Sequence, residues 1–417
     1  MSKIWTGKFH YAWLIIIGCI GFYSIPVGLI GNTAGIFVAP VMAEYGCDQT
    51  SALMYRTIQP LVAALVVPFA GRILQKGNQR IILTIVALAF GLGTIWSAFA
   101  TDLTVWNIYG VIYGITSGFF MYLAVPAIIN IWFHKSAGLA IGIVATTLSI
   151  LGAFMNTWGN TLILTYGWHT ARLILCIIST VLSVMLSYGF LRKDPESMGL
   201  LPYGAGEENG EGKKQAVYGA DLGTALRSPA LYLTFIIAGF IVVAAAYFQQ
   251  IPAYSTSTSL GSSAGAMAVS IVMIGGIVGK LLLGWLCDHC GSAIAGALGM
   301  VAGGIGMLVA FVAGGLGNVS AFYIGMAVFG IGYAALGVAV PMIVRDSFGT
   351  KNYSQIFSWV STSIFLFTAV AFMVYGRIYD ITGSYDGCFI LVIALYAITA
   401  VLIPITIKLA HKTWSKE

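Results

Sequence analysis

The sequence predicts an all-α membrane protein of twelve transmembrane helices in two six-helix bundles, and three observations carry that expectation. Hydrophobic residues make up 59% of the 417 and charged residues only 8%, with a mean hydropathy of +0.92, whereas about a quarter of a typical soluble domain is charged. Apolar stretches of about 20 residues or more, the length that crosses a bilayer, recur from Tyr11 to Ile407 with short polar breaks. Lys and Arg gather in alternate breaks, as the positive-inside rule requires of cytoplasmic loops.

The stretches fall at 11–41, 51–74, 81–100, 103–131, 137–166, 171–191, 230–254, 263–286, 293–315, 319–344, 353–379 and 387–407. The first exceeds the roughly 7–15 residues of a secretory signal core and has no small-residue cleavage site after it, so it is expected to be retained. With both termini on the cytoplasmic side, only Arg56, Arg172 and Arg377 of the 20 basic residues fall at outer ends, and Lys280 alone falls well inside a span. That distribution predicts a multi-pass protein of the cell membrane with both termini cytoplasmic, and it places the formal charge of +6 in loops facing the cytoplasm rather than on a nucleic-acid surface. The 51 glycines suit close helix packing in lipid, and six scattered cysteines form no disulfide framework.

Residues 1–191 read as an N-terminal six-helix bundle, 192–228 as a cytoplasmic linker and 229–417 as a C-terminal six-helix bundle. The linker holds the polar run Glu207-Glu208-Asn209-Gly210-Glu211-Gly212-Lys213-Lys214, whose composition suits a solvated tether. The halves echo each other. Gly71 to Gly77 after span two matches Gly284 to Gly291 after span eight, and Trp132 to Lys135 after span four matches Ser347 to Lys351 after span ten. Parallel repeats of this kind suit an alternating-access carrier.

These segments resemble the signature of the major facilitator superfamily, G-x-x-x-D-x-x-G-R-R/K after spans two and eight. The second copy keeps Gly284, Asp288 and Gly291; the first keeps Gly71 and Arg80, with Arg72 beside them, but has Gln75 in place of the acid. The resemblance implies the major facilitator fold and a gating role for the motif. More narrowly, the chain is similar to the monocarboxylate transporter and oxalate/formate antiporter branch through His10-Tyr11-Ala12-Trp13, Trp132-Phe133, Gly138-Leu139-Ala140-Ile141-Gly142, Gly376-Arg377-Ile378-Tyr379-Asp380 and Gly279-Lys280-Leu281-Leu282-Leu283-Gly284. The branch places an anion-binding basic residue where Lys280 stands.

An intramembrane charge costs roughly 2.5–3.5 kcal/mol on insertion scales and is a functional candidate for that reason. From Lys280 to Asp288 is ~12 Å of helix, long for a snorkelling lysine to bridge. All 14 acids fall in loops or at span ends. Proton-coupled members of the branch carry an Asp one turn before the basic residue, where this chain has Gly276, and the second basic residue of the dicarboxylate antiporters falls on Val360. One positive charge suits one carboxylate.

The same resemblance offers Tyr122 and Tyr333 as cavity aromatics, each with one hydroxyl for a carboxylate. Gln249 and Gln250 precede Pro252, where the branch often has a histidine. Asn32 sits on a glycine-lined stretch at mid-depth of span one, and Phe37, Asn156, Phe357 and Trp359 are further substrate-binding candidates. Packing, interfacial placement or interhelical hydrogen bonding would also explain these polar and aromatic residues. Arg56, near the outer end of span two, is a candidate vestibule residue.

The expected function is secondary active transport of a small organic monocarboxylate resembling lactate, pyruvate or formate. Coupling is either anion exchange, with Lys280 permanently charged, or symport, with the lysine taking up a proton together with the anion. The expected partners are the small organic anion, protons under the second mechanism, and the lipid bilayer; no nucleic acid is expected, and the chain is expected to be a monomer. An exporter of drugs or neutral metabolites is the alternative carrier, and a non-transporting membrane sensor the alternative outside transport. No cofactor, metal or catalytic set is expected: Cys287-Asp288-His289-Cys290 lacks the second Cys/His pair of a tetrahedral site, and there is no phosphate-binding loop.

Overall fold

A computed structural model describes residues 10–47, 49–205 and 219–414. The charged run from Glu207 to Lys214 lies outside the described residues. Twelve long helices succeed one another: α1 Ala12–Phe37, α2 Gln49–Lys76, α3 Gln79–Ser97, α4 Leu103–Trp132, α5 Ala137–Tyr166, α6 Trp168–Phe190, α7 Pro229–Ser255, α8 Ser262–Cys290, α9 Ser292–Gly315, α10 Val319–Phe348, α11 Tyr353–Thr382 and α12 Asp386–Trp414. Among the described residues there is no sheet, only two isolated bridges. Among the described residues, eleven helices are long and apolar enough to cross a membrane. In α5 the apolar stretch among the described residues is Ala137–Gly152.

Helix starts follow the local sequence. Asn78, Asp102, Ser228 and Asn318 each accept from a backbone N–H two or three residues on, the capping that orphan amides need. Gly291, at φ +80, joins α8 to α9, and Asp346 Oδ2 accepts from the Ser292 amide at 3.0 Å. In α1 the regular pattern fails around Pro26: π turns at Ile20–Ser24 and Val27–Gly31 precede a 3-10 turn at Ala34–Phe37. A proline inside a helix removes one hydrogen bond and crowds the preceding turn, and π bulges absorb that misfit.

The described chain groups into two units, residues 1–135 with 147–216, and residues 136–146 with 217–417. The opening turns of α5 therefore pack as part of the second unit. Within the first unit α2 packs on α4 and α3 on α6; within the second, α8 packs on α10 and α9 on α12. The same pairing six helices apart is the structural form of the sequence repeat.

Each end of the linker is anchored within its own unit. Tyr203 bridges to Phe133, the His134 and Lys135 amides both donate to the Tyr203 carbonyl, and the Tyr203 ring packs against His10, Trp13 and Phe133. In the second unit Gly219 bridges to Gly349, the Ala220 amide donates to Phe348 O at 2.9 Å, and Asp221 accepts from Lys351 and Asn352. The two anchors use the two loops that repeat in sequence, 132–135 and 347–351.

Candidate functional site

In the second unit the site is built on α8. Lys280 is 7% exposed, ten residues before the helix ends at Cys290, so its backbone lies ~15 Å from that terminus. The side chain does not run toward the helix end. Its Nζ donates to the Ala145 carbonyl on the opening turns of α5 at 3.0 Å. The close approach is set by glycines: a Cβ on Gly142 would stand 2.7 Å from the Lys280 carbonyl, and one on Gly284 2.5 Å from the Gly138 carbonyl. Small residues bring the backbones together, and the lysine reaches across the gap.

Asp288 sits two turns further along α8. Its Oδ1 accepts from the Gly138 amide and its Oδ2 from the Leu139 amide, both at 2.8 Å. Ser136, at the foot of α5, has φ +65, outside the extended conformation of an ordinary N-cap, so α8 supplies the acceptor instead. A carboxylate there also meets the positive end of the helix dipole.

One turn before Lys280 is Gly276, and the Tyr333 ring from α10 lies against it, 3.5 Å from where a Cβ would stand. Phe248 packs on that ring with centroids 5.4 Å apart. Gln249, exposed, and Gln250, partly exposed, complete a 3-10 turn with Tyr247 and Phe248. On α11, Phe357 is buried and stacked on Tyr353, Trp359 is partly exposed and Val360 is fully buried. Gly276 and Tyr333 are thus brought together one helical turn from Lys280, whose side chain goes to Ala145; Phe357 stands with its own helix neighbour.

In the first unit Tyr122 is partly exposed in a π turn, Phe120–Ala124. Asn32 ends the π turn of α1 and rests on Gly152, where a Cβ would overlap its side chain. Asn156 lies in α5, its side chain outside the described residues. Phe37 is 2% exposed and packs beneath Arg172. Gly71 is buried in α2 and Arg72 exposed; Arg80 donates through Nε to the Tyr188 carbonyl at 2.8 Å and stacks over that ring.

Two arginines of this unit have described partners. Arg172 is 2% exposed: its guanidinium lies 4.2 Å over Trp106, 5.1 Å over Tyr109 and 5.4 Å over Phe37, and Nε donates to Ser97. Arg56 donates through Nη1 to the Gly31 carbonyl at 3.0 Å. Nearby, Glu44 accepts from Trp168 Nε1 and from His169 Nε2, while His169 Nδ1 donates to the Ala98 carbonyl. The His169 contact, above all, holds the Glu44 carboxyl below its ordinary value of 4.5.

Ala145 and Phe248 went unnoticed in sequence, one because a backbone carbonyl carries no residue signal, the other because an apolar residue among apolar residues does not stand out. Arg172 carried a signal: an arginine one turn into an apolar span.

The profile of the Major Facilitator Superfamily matches residues 16–354 and 255–413. Monocarboxylate transporter 12 of Xenopus laevis is 23% identical over 414 residues, 91% of this chain and 85% of that protein. The 4-hydroxybenzoate transporter PcaK of Acinetobacter baylyi is 23% identical over 324 residues, 67% of this chain and 66% of that protein. Among solved structures, a variant of the Escherichia coli fucose:proton symporter FucP superimposes with a TM-score of 0.70 at 13% identity, covering 94% of this chain and 98% of that one. A double-tryptophan variant of XylE gives 0.73 at 13% identity, covering 97% and 98%. At these identities the likeness to the solved structures is one of fold.

Proposed function

This chain belongs to the major facilitator superfamily and is a membrane transporter rather than an enzyme, and from that premise we propose that it carries a small organic monocarboxylate by alternating access. The observation that carries this reading is Lys280: a buried cation ten residues inside α8, its ammonium on a backbone carbonyl, in a protein whose span acids stand within three residues of a helix end. A lysine offers three donors and no acceptor. An anion of one charge neutralises it at mid-membrane, and Tyr333 adds an apolar wall and a hydroxyl on the same unit. Tyr122, Asn32, Gln249, Gln250, Phe37, Asn156, Phe357 and Trp359 remain candidate substrate contacts under this reading.

The charge pattern of the loops supports a cell-membrane protein with cytoplasmic termini. Gly276 and Gln249 leave those two positions without a proton-carrying side chain, which favours exchange between anions over proton symport. The relatives named for monocarboxylates and for 4-hydroxybenzoate bracket the substrate class, since 4-hydroxybenzoate also bears one carboxylate.

A thermal-shift screen of the purified protein against lactate, pyruvate, formate, oxalate and 4-hydroxybenzoate tests the substrate class. A ligand at 100 times its Kd stabilises by about 2.7 kcal/mol. Stabilisation by a monocarboxylate and not by oxalate is expected; stabilisation only by neutral or cationic compounds would overturn the proposal. Counterflow in liposomes then separates the couplings. Uptake driven by a pH gradient into vesicles holding no anion would eliminate obligate exchange.

A further inference from the structure

We propose that Arg56 is a second anion-binding residue of this transporter, a docking group in the first unit that receives the substrate carboxylate from the outer side, separately from Lys280. The inference rests on the anion-carrier reading and on the topology that goes with it.

Arg56 lies within the apolar span Ser51–Lys76, where a charge is costly to hold. The first unit offers no acid in any of its spans to offset it. Two carboxylates flanking the spans of this unit, Glu44 and Asp102, are both engaged: Glu44 by Trp168 and His169, Asp102 by the Thr104 and Val105 amides. Among the described residues, the partners of Arg56 are neutral groups. Nη1 is on the Gly31 carbonyl at 3.0 Å, and Tyr55, Tyr109, Tyr113 and Tyr122 are within electrostatic reach.

Arg172 shows what an arginine held for structure looks like in the same unit. It is sealed from solvent by three aromatic rings, its Nε on Ser97. Arg56 has neither feature. It remains partly exposed, and of its five N–H donors one is committed to a carbonyl among the described residues. A planar guanidinium with donors to spare matches the two oxygens of a carboxylate.

The mount of Arg56 is also built. Its acceptor, Gly31, closes the π turn Val27–Gly31, and a Cβ on Gly31 would stand 2.8 Å from the Tyr113 hydroxyl. The glycine, the π turn and the tyrosine therefore fix one carbonyl, and that carbonyl fixes the arginine. Arg172 adds a second positive charge behind the Trp106–Tyr109 pair, so this end of the unit carries a field that draws anions.

Oriented proteoliposomes test the proposal, with lactate and 4-hydroxybenzoate as probes and substrate added from one side at a time. Arg56→Gln is expected to raise the KM for external substrate tenfold or more while the KM for internal substrate stays within about twofold. Arg56→Lys, which keeps the charge and loses the fork, should recover part of the external affinity and guards against a folding defect in the glutamine variant. Unchanged external KM in a folded Arg56→Gln protein overturns the proposal, and so does an equal rise on both sides. Lys280→Gln run in parallel keeps the two claims apart: normal transport there sinks the central anion site, whereas a one-sided Arg56 effect would still stand.

Discussion

Replacing Asp288 with alanine removes both acceptors from the foot of α5 and leaves the Gly138 and Leu139 amides without them. Loss of an N-cap costs about 0.5–2 kcal/mol, and a hydrogen bond to a charged group contributes roughly 1.5–3 kcal/mol. Two bonds of 2.8 Å, partly buried, at the positive end of a helix place the combined loss at ~3 kcal/mol. Since each 1.36 kcal/mol is about tenfold, opening of this first turn should become ~100-fold more frequent. Hydrogen exchange read by mass spectrometry on the peptide covering Ser136 to Ala140 measures it directly. Asp288→Asn should fall between, because one oxygen is kept. Protection in the alanine variant within about threefold of the parent would show that the carboxylate does not hold the turn, and the cap argument would fail.

Glu44, whose carboxyl is held below its ordinary value first by His169, contributes stability that is present above pH 4.5 and is lost as the pH falls through its lowered value. With both side chains over 40% exposed, solvent screening limits the effect to under ~1 kcal/mol, so the melting gap between the parent and Glu44→Gln should be small at pH 7 and shrink as the pH falls below 4.5. A gap that widens on acidification would refute the assignment. Arg172→Met removes a buried charge whose Nη2 has no described partner, so it should be neutral or stabilising within about 1 kcal/mol, whereas Ser97→Ala strands the guanidinium and should cost ~1–3 kcal/mol. The opposite ranking in thermal melts would mean that the aromatic cage depends on the charge. Gly276→Asp fits beside Tyr333 and faces Lys280 one turn on, so its carboxylate should compete with substrate and raise KM about tenfold at pH 7 in uptake assays. An unchanged KM would place Lys280 off the transport path.

The helices, their order and the repeat were legible because bilayer spans announce themselves by length and by the absence of charge. The helix-packing pattern, α2 on α4 repeated as α8 on α10, follows from the same repeat that Gly71 and Gly284 mark in the sequence. Less was legible where backbone atoms do the work. Nothing in the sequence points from Lys280 to the Ala145 carbonyl, or from Asp288 to two amides some 150 positions earlier, since carbonyls and amides are the same at every residue. The irregular α1 was half legible: Pro26 announces a disturbance, but π turns rather than a kink depend on neighbours. The linker looked like a tether throughout because its centre is charged. Tyr203 and Asp221 at its ends find partners that only the folded loops at 132–135 and 347–351 provide.

The central claim is that Lys280 neutralises a carboxylate in transit. Uptake of lactate and 4-hydroxybenzoate into liposomes preloaded with the same acid measures it most directly, comparing the parent protein with Lys280→Gln and Lys280→Arg. Exchange should fall at least a hundredfold in the glutamine variant and persist in part in the arginine one. Parent-level exchange in a folded Lys280→Gln protein would contradict the account.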